Sequence, residues 1–267
     1  MKVCFNFKKF KESFLNIFFP KDIKCLVCSR ELDTNTLYCL CDKCMSELPF
    51  NTGKTCLRCD SVISSDANYC INCKNITPKY KHNKSVFLYD GVIKKFVRQL
   101  KFDNKKFYAG TLSNFIASEY VKLNKDFDLV IPVPIHKDRQ KHRGYNQATL
   151  LCSALKEKLK LNVVEDVLIK PLATKSQAYL TREQREKNLE DAFKVVDKKI
   201  VKGKTILLVD DVFTTGTTIN ECAKTLLNAG AKEVHSLTLA HAHRDTIEKI
   251  SWLKKRQTIG LSFLLLI

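Results

Sequence analysis

No apolar run in this 267-residue chain approaches the roughly twenty residues that a membrane-crossing helix needs. The longest, Leu261 to Ile267, is far shorter, which argues against an integral membrane protein. The chain also lacks a recognisable leader: lysines interrupt the apolar stretch of MKVCFNFKKFKESFLNIFF and no small-residue cleavage site follows. A cytoplasmic protein is expected. Phe7, Phe10, Phe14 and Phe18 recur at helical spacing, so the start of the chain reads as an amphipathic helix whose aromatic face packs on a core or, alternatively, lies peripherally on the inner face of the membrane. Acidic residues are scarce, 28 against 46 Lys plus Arg, and the net charge of +18 attracts polyanions, nucleic acid first among them. Lysine far outnumbers arginine, so many of these charges are also explained as solvated surface. A complete P-loop is missing as well. Gly53-Lys54-Thr55 and Gly203-Lys204-Thr205 lack the earlier glycine, Leu48 and Lys198 standing in its place.

Cysteine is nearly absent after residue 73, because ten of the twelve lie between Cys4 and Cys73. Eight of these form four C-x-x-C pairs: Cys25/Cys28, Cys41/Cys44, Cys56/Cys59 and Cys70/Cys73. Two such turns complete a tetrahedral zinc site with no open position, so two structural Zn²⁺ ions are expected and catalytic zinc is not. Pairing neighbours closes two compact loops with twelve and ten residues between the inner cysteines. A crossed, RING-like pairing of the first with the third remains open on spacing alone. A disulfide framework would need an oxidising compartment, for which nothing speaks. Cys39 falls outside the C-x-x-C register, and Cys152 and Cys222 read as small buried apolar residues.

From about Val86 short apolar strands alternate with helical patterns, the signature of an α/β fold with a parallel sheet. Strands are expected at 86–89, 129–133, 205–209 and 234–239, and helices at 91–102, 107–123, 146–159 and 217–228, the last stopped by Gly230. Ligands bind outside the carboxyl ends of such strands. After Val209 come Asp210-Asp211, then Thr214-Thr215-Gly216-Thr217-Thr218 and a helix. The glycine turn exposes successive N–H groups at a helix N-terminus, an anion cradle ringed by hydroxyls. Two carboxylates beside it would repel phosphate and suit the vicinal hydroxyls of a sugar instead. A ribose 5-phosphate fits both halves. After Val133 a basic stretch carries Arg139, Lys141 and Arg143, cations suited to a second anionic group such as pyrophosphate.

ILLVDDVFTTGTT, Ile206 to Thr218, resembles the phosphoribosyl pyrophosphate signature of type I phosphoribosyltransferases. That resemblance implies that Asp210 and Asp211, as catalytic residues, hold the ribose hydroxyls, that Thr214 to Thr218 hold the 5-phosphate, and that Mg²⁺ accompanies the substrate. Pro132-Val133-Pro134, His136, Arg139 and Arg143-Gly144-Tyr145-Asn146-Gln147 narrow the likeness to the ComF family of competence proteins, which join a cysteine-rich ribbon to a phosphoribosyltransferase domain. Gln177, Leu180, Arg182, Arg185, Asn188 and Phe193 match the polar segment that forms a flexible hood, with Gln177, Arg182 and Arg185 as its site residues. Three positions depart from the pattern: Lys137 for proline, Tyr179 for glycine and His241 for arginine. No role is assigned to His241 or His243.

The expected organisation is therefore an N-terminal segment with a double zinc ribbon over 1–80, a type I phosphoribosyltransferase fold over 81–243, with its parallel sheet flanked by helices and its hood, and a tail over 244–267 of unassigned role. The resemblance implies a protein that binds phosphoribosyl pyrophosphate or a related ribose phosphate and serves competence and uptake of single-stranded DNA, with helicase and DNA-processing partners. It also implies phosphoribosyltransferase activity, and an active transferase in nucleotide salvage or metabolism is the alternative.

Overall fold

The computed structural model describes residues 24–32, 38–63, 67–172 and 188–242. The aromatic N-terminal stretch, Cys4, Gln177, Arg182, Arg185, His243 and the C-terminal tail lie outside them. No helix among the described residues is long and apolar enough to cross a membrane. Packing divides the chain into two compact units, Met1–Leu48 and Pro49–Ile267.

In the first unit Cys25 and Cys28 sit on a tight knuckle closed by the Cys25 N–H to Arg30 carbonyl bond of 2.7 Å. Ser29 turns it with a left-handed φ of 61°. Cys41 then caps α1 (Asp42–Ser46), which buries Cys44. The second unit opens on the same plan. Cys56 N–H donates to the Ser61 carbonyl at 2.8 Å, Asp60 is left-handed at φ 63°, and Cys70 caps α2 (Ile71–Asn75), which buries Cys73.

The chain then enters β1 (Asn83–Leu88), α3 (Gly91–Phe102), α4 (Tyr108–Lys122) and β2 (Leu129–Pro132). Next come α5 (Lys137–Arg143), α6 (Gln147–Leu151), α7 (Ser153–Glu157), β3 (Leu168–Ile169) and β4 (Lys194–Val195). The last elements are α8 (Lys198–Val201), β5 (Thr205–Phe213), α9 (Thr217–Asn228) and β6 (Glu233–His241). β1, β6, β5 and β2 form a parallel sheet in that order, and β3 and β4 form a separate antiparallel pair. Ile206 to Val209 are fully buried. Their unbroken apolar run is what a strand covered on both faces requires. Helix α3 presents Ile93, Phe96, Val97 and Leu100 to the core. Helix α9 presents Ile219, Cys222, Ala223 and Leu226. At its end the Gly230 N–H bonds the Leu227 carbonyl and the Ala231 N–H the Leu226 carbonyl, a Schellman stop with Gly230 at φ 97°.

β1 opens at Asn83 instead of residue 86, the short β3–β4 pair and α8 fall outside the expected elements, and three further differences bear on the site. β5 does not end at Val209 but carries the acidic pair on to Phe213, because β6 runs equally far and supplies Thr238, Ala240 and His241 as ladder partners. The basic stretch from Lys137 to Arg143, which lies outside every expected helix and strand, is a helix capped by His136 and stopped by left-handed Gly144. The expected helix over 146–159 is interrupted at Cys152, whose N–H is shared between the Ala148 and Thr149 carbonyls. Cys152 and Cys222 are both buried, as expected of small apolar residues.

Asp60 ties the second cysteine segment to the sheet. Its buried carboxylate accepts from Asn51 Nδ2 and from the Ser85 N–H, each at 2.8 Å, and pairs with Lys84 Nζ at 3.1 Å. Burial raises its pKa despite the opposing pull of Lys84 and the Ser85 N–H. Removing one partner of a buried pair strands the others, so Asp60→Ala is expected to cost about 3 kcal/mol in urea unfolding. A loss below about 1 kcal/mol would show that the network adds nothing beyond surface pairing.

Candidate functional site

β5, β6 and α9 position the anion cradle. β5 ends at Phe213 and α9 begins at Thr217, leaving Thr214 to Gly216 as the turn between them. Gly216 adopts φ 76°, and a Cβ there would meet Phe213 Cζ at 2.6 Å and Tyr80 Oη at 3.1 Å. Glycine is thus required twice, by backbone and by space. Thr217 is buried, with its hydroxyl 2.8 Å from that of Thr215. The first N–H groups of the twelve-residue α9 have no intrahelical partners and meet the turn, the geometry that receives a phosphate.

The carboxylates stand just upstream. The Asp211 N–H donates to Asp210 Oδ1 at 2.8 Å. Asp211 is buried and paired with Lys101 Nζ, from the end of α3, at 2.7 Å. Burial pulls the Lys101 ammonium down, yet the charge and hydrogen bond of Asp211 outweigh it and leave its pKa raised. Asp210 is pushed up to about 7, first by burial and then by the charge of Asp211. Lys170, at the end of β3, is buried beneath the Phe193 ring with Nζ 5.3 Å from its centre. Burial, then Arg139, brings it down to about 8, and Asp210 opposes that fall.

Arg139 and Arg143 sit four residues apart on α5 and so share one face. Arg143 donates to Gln147 Oε1 at 3.0 Å and lies 5.3 Å over the Phe102 ring. Burial lowers its pKa, Arg139 adds to that, and Asp211 opposes it. His136 is committed to structure. Its Nδ1 accepts from the Asp138 N–H at 3.2 Å, leaving Nε2–H to donate to the Pro171 carbonyl at 3.2 Å. The chain thus gathers a phosphate-shaped turn, two carboxylates and cations from α3, α5 and β3. Lys101 and Lys170 escaped the sequence reading, since neither stands in a motif; amphipathicity in α3 marks only its apolar face.

The thiols fall into two quartets, Cys25/Cys28/Cys41/Cys44 and Cys56/Cys59/Cys70/Cys73, each with all sulfurs within 4.8 Å of one another. The sequential pairing is the one observed. Zn–S bonds of about 2.3 Å in a tetrahedron put sulfurs about 3.8 Å apart. Cys28 to Cys41 and Cys59 to Cys70 both measure 3.7 Å, too long for disulfides and right for one shared metal. In the second quartet Cys56 is pushed down and Cys59 up, each chiefly by the hydrogen bond between them. Four cysteine sulfurs gathered this closely fit a divalent cation that takes all four as thiolates. Cys39 is not part of either set.

Gly216→Ala tests the cradle. Its left-handed backbone costs about 1–2 kcal/mol and the contact with Phe213 forces a shift besides. Thermal unfolding is expected to fall by several degrees, and an unchanged midpoint would contradict the geometry.

A family model described as phosphoribosyl transferase domain matches residues 151–263. Competence protein F of Haemophilus influenzae is 30% identical over 229 residues, covering 83% of this chain and 98% of that protein. DNA utilization protein YhgH of Escherichia coli (strain K12) is 31% identical over 189 residues, covering 68% of this chain and 82% of that protein. Competence protein ComFC of Bacillus subtilis is 27% identical over 233 residues, covering 80% and 93%. With its parallel sheet flanked by helices, its two cysteine quartets and a likeness that spans nearly the whole length of these relatives, the chain belongs to the ComF family and carries a type I phosphoribosyltransferase domain.

Proposed function

We propose that this protein binds phosphoribosyl pyrophosphate, or a ribose phosphate like it, and serves the uptake of single-stranded DNA into the cytoplasm. The observation that carries the reading is the Gly216 cradle next to Asp210 and Asp211, with cations gathered around the pair. Thr214, Thr215, Gly216, Thr217 and Thr218 would hold the 5-phosphate. Asp210 and Asp211 would accept from the ribose hydroxyls, and Arg139 and Arg143 would neutralise the pyrophosphate. Gln177, Arg182 and Arg185 would close over the substrate as a hood and exclude water. Bound Mg²⁺ would offset charge between the pyrophosphate and sugar oxygens, and zinc in the two quartets would be structural. The residues supply positioning and charge neutralisation, the two contributions a displacement at the ribose C1 would need. Of the two histidines of the basic stretch, His136 and His142, the first is already engaged at both ring nitrogens, and this reading commits to binding rather than to transfer to an acceptor base.

The names of the relatives, competence and DNA utilization, point to nucleic acid. Exposed aromatics beside cations fit that partner. Phe102 is 69% exposed under Arg143, Phe107 is 60% exposed, and Arg58 lies 4.7 Å over Tyr69. Such pairs stack bases while the +18 charge draws the backbone. Helicase and DNA-processing partners would follow from this role.

Two measurements test these readings. Asp210 has a folded pKa of about 7 against 3.8 for the ordinary group. The folded chain therefore holds this proton more tightly, and the group's ionisation costs stability as pH rises from 3.8 towards about 7. A ligand that needs the carboxylate must expel the proton. Calorimetry with Mg²⁺ and phosphoribosyl pyrophosphate at about pH 6 is expected to give heats that depend on the buffer's ionisation enthalpy, a dependence that Asp210→Asn reduces to the share of the ligand's own phosphates. Absence of binding would overturn the ribose phosphate reading. For DNA, affinity for an oligothymidylate is expected to fall about tenfold or more between low and moderate salt, and Phe102→Ala with Phe107→Ala to weaken it about tenfold without altering that slope. Salt-independent affinity would rule out the cationic grip.

A further inference from the structure

Seven residues after Cys73 the chain passes against the phosphate turn. Lys79 donates its N–H to Asn220 Oδ1, in the first turn of α9, at 2.7 Å. Lys81 donates to the Val234 carbonyl of β6 at 2.8 Å. Between these two anchors Tyr80 is buried in the cluster that holds Cys56, Cys59, Cys73, Phe213 and Ile219. Its ring meets Phe213 edge-on at 6.0 Å. His241 stacks on Phe213 at 5.1 Å, and Gly216 lies so close to both Phe213 and Tyr80 Oη that a single added carbon would collide. The quartet itself is fastened to the chain just past this segment, since the Asn83 N–H donates to the Arg58 carbonyl at 2.7 Å and Asn83 Nδ2 to the Cys59 carbonyl at 3.1 Å.

Thiols, tyrosine, phenylalanine and glycine therefore form one packed column from the second quartet to the cradle. Close-packed interiors transmit displacement rather than absorb it. If the quartet is not drawn together, the segment leading out of it loses its fixed end, Tyr80 loses its seat, and Phe213 no longer defines the left-handed turn. We propose that Tyr80 is a positioning residue through which the second cysteine quartet sets the conformation of the phosphate turn, making the metal held by Cys56, Cys59, Cys70 and Cys73 a condition of ribose phosphate binding. This rests on the reading of the turn as the 5-phosphate site.

The column supports the turn after β5 and not α5, which gives the experiment its discrimination. Full-length protein is titrated with ribose 5-phosphate and, separately, with inorganic pyrophosphate, while native mass measurement counts metals. Tyr80→Leu is expected to bind ribose 5-phosphate about tenfold more weakly with pyrophosphate affinity and metal count unchanged, and Tyr80→Phe, which keeps the ring on Phe213, to recover most of the loss. Cys70→Ser is expected to carry one metal fewer and to show the same selective loss. Asn220→Ala severs the Lys79 anchor at a partly exposed position and must shift ribose 5-phosphate affinity the same way, which keeps the test alive if the leucine variant fails to fold. Unchanged ribose 5-phosphate affinity in Tyr80→Leu or Asn220→Ala, or an equal loss for both ligands, overturns the proposal. Wild-type protein that binds pyrophosphate but no ribose 5-phosphate overturns the phosphate reading itself, and this inference with it.

Discussion

Two neighbouring carboxylates at the carboxyl end of a buried strand are the constraint around which this domain is organised. Backbone pairing with β6 fixes Asp210 and Asp211 in place, and burial raises the proton affinity of Asp210. The fold answers by importing charge from distant sequence. Lys101 comes from α3 to pair with Asp211 at 2.7 Å, Lys170 comes from the end of β3 into the field of Asp210, and Arg143 of α5 feels the charge of Asp211. Asp210, raised by burial and by the charge of Asp211, is pushed up to about 7 in spite of Lys101 and Lys170.

What the sequence disclosed was local chemistry at fixed spacing. Thr214 to Thr218 following an apolar run, the four C-x-x-C pairs and the Gly230 stop are each defined within a few residues, and each could be read directly. Lys101 and Lys170 could not, because a lysine becomes part of a site only through partners 110 and 40 residues away, by subtraction along the chain to Asp211 and Asp210. The continuation of β5 through the acidic pair was hidden for a related reason. Charged residues argue against a strand until a neighbour of matching length is known to lie alongside. Helix α5 was obscured by its high charge, although His136 and Gly144 are the cap and stop that bound it.

Composition changes near residue 80, whereas packing divides between Leu48 and Pro49. The difference is physical. A cysteine-rich segment with many polar residues looks like an independent metal module, but its buried thiols are apolar surface too, and in the second quartet they pack among Tyr80, Phe213 and Ile219. The two quartets use one local plan of knuckle, left-handed residue and capped short helix. In the second, Cys56, Cys59 and Cys73 are all buried, while Cys28 of the first is exposed.

The collision distance at Gly216 has a bearing on how related chains should be read. Phe213 fills the volume a side chain at 216 would need, with Tyr80 Oη beside it, and Phe213 is itself held by Tyr80, so Tyr80, Phe213 and Gly216 constrain one another. A descendant that had abandoned ribose phosphates would still keep the glycine, because the packing demands it. The two aspartates are under the opposite pressure: adjacent like charges are a burden on the fold, which Lys101 relieves at Asp211 and which a ligand would reward further. Among relatives of this chain, the glycine therefore reports ancestry, and the carboxylates report use.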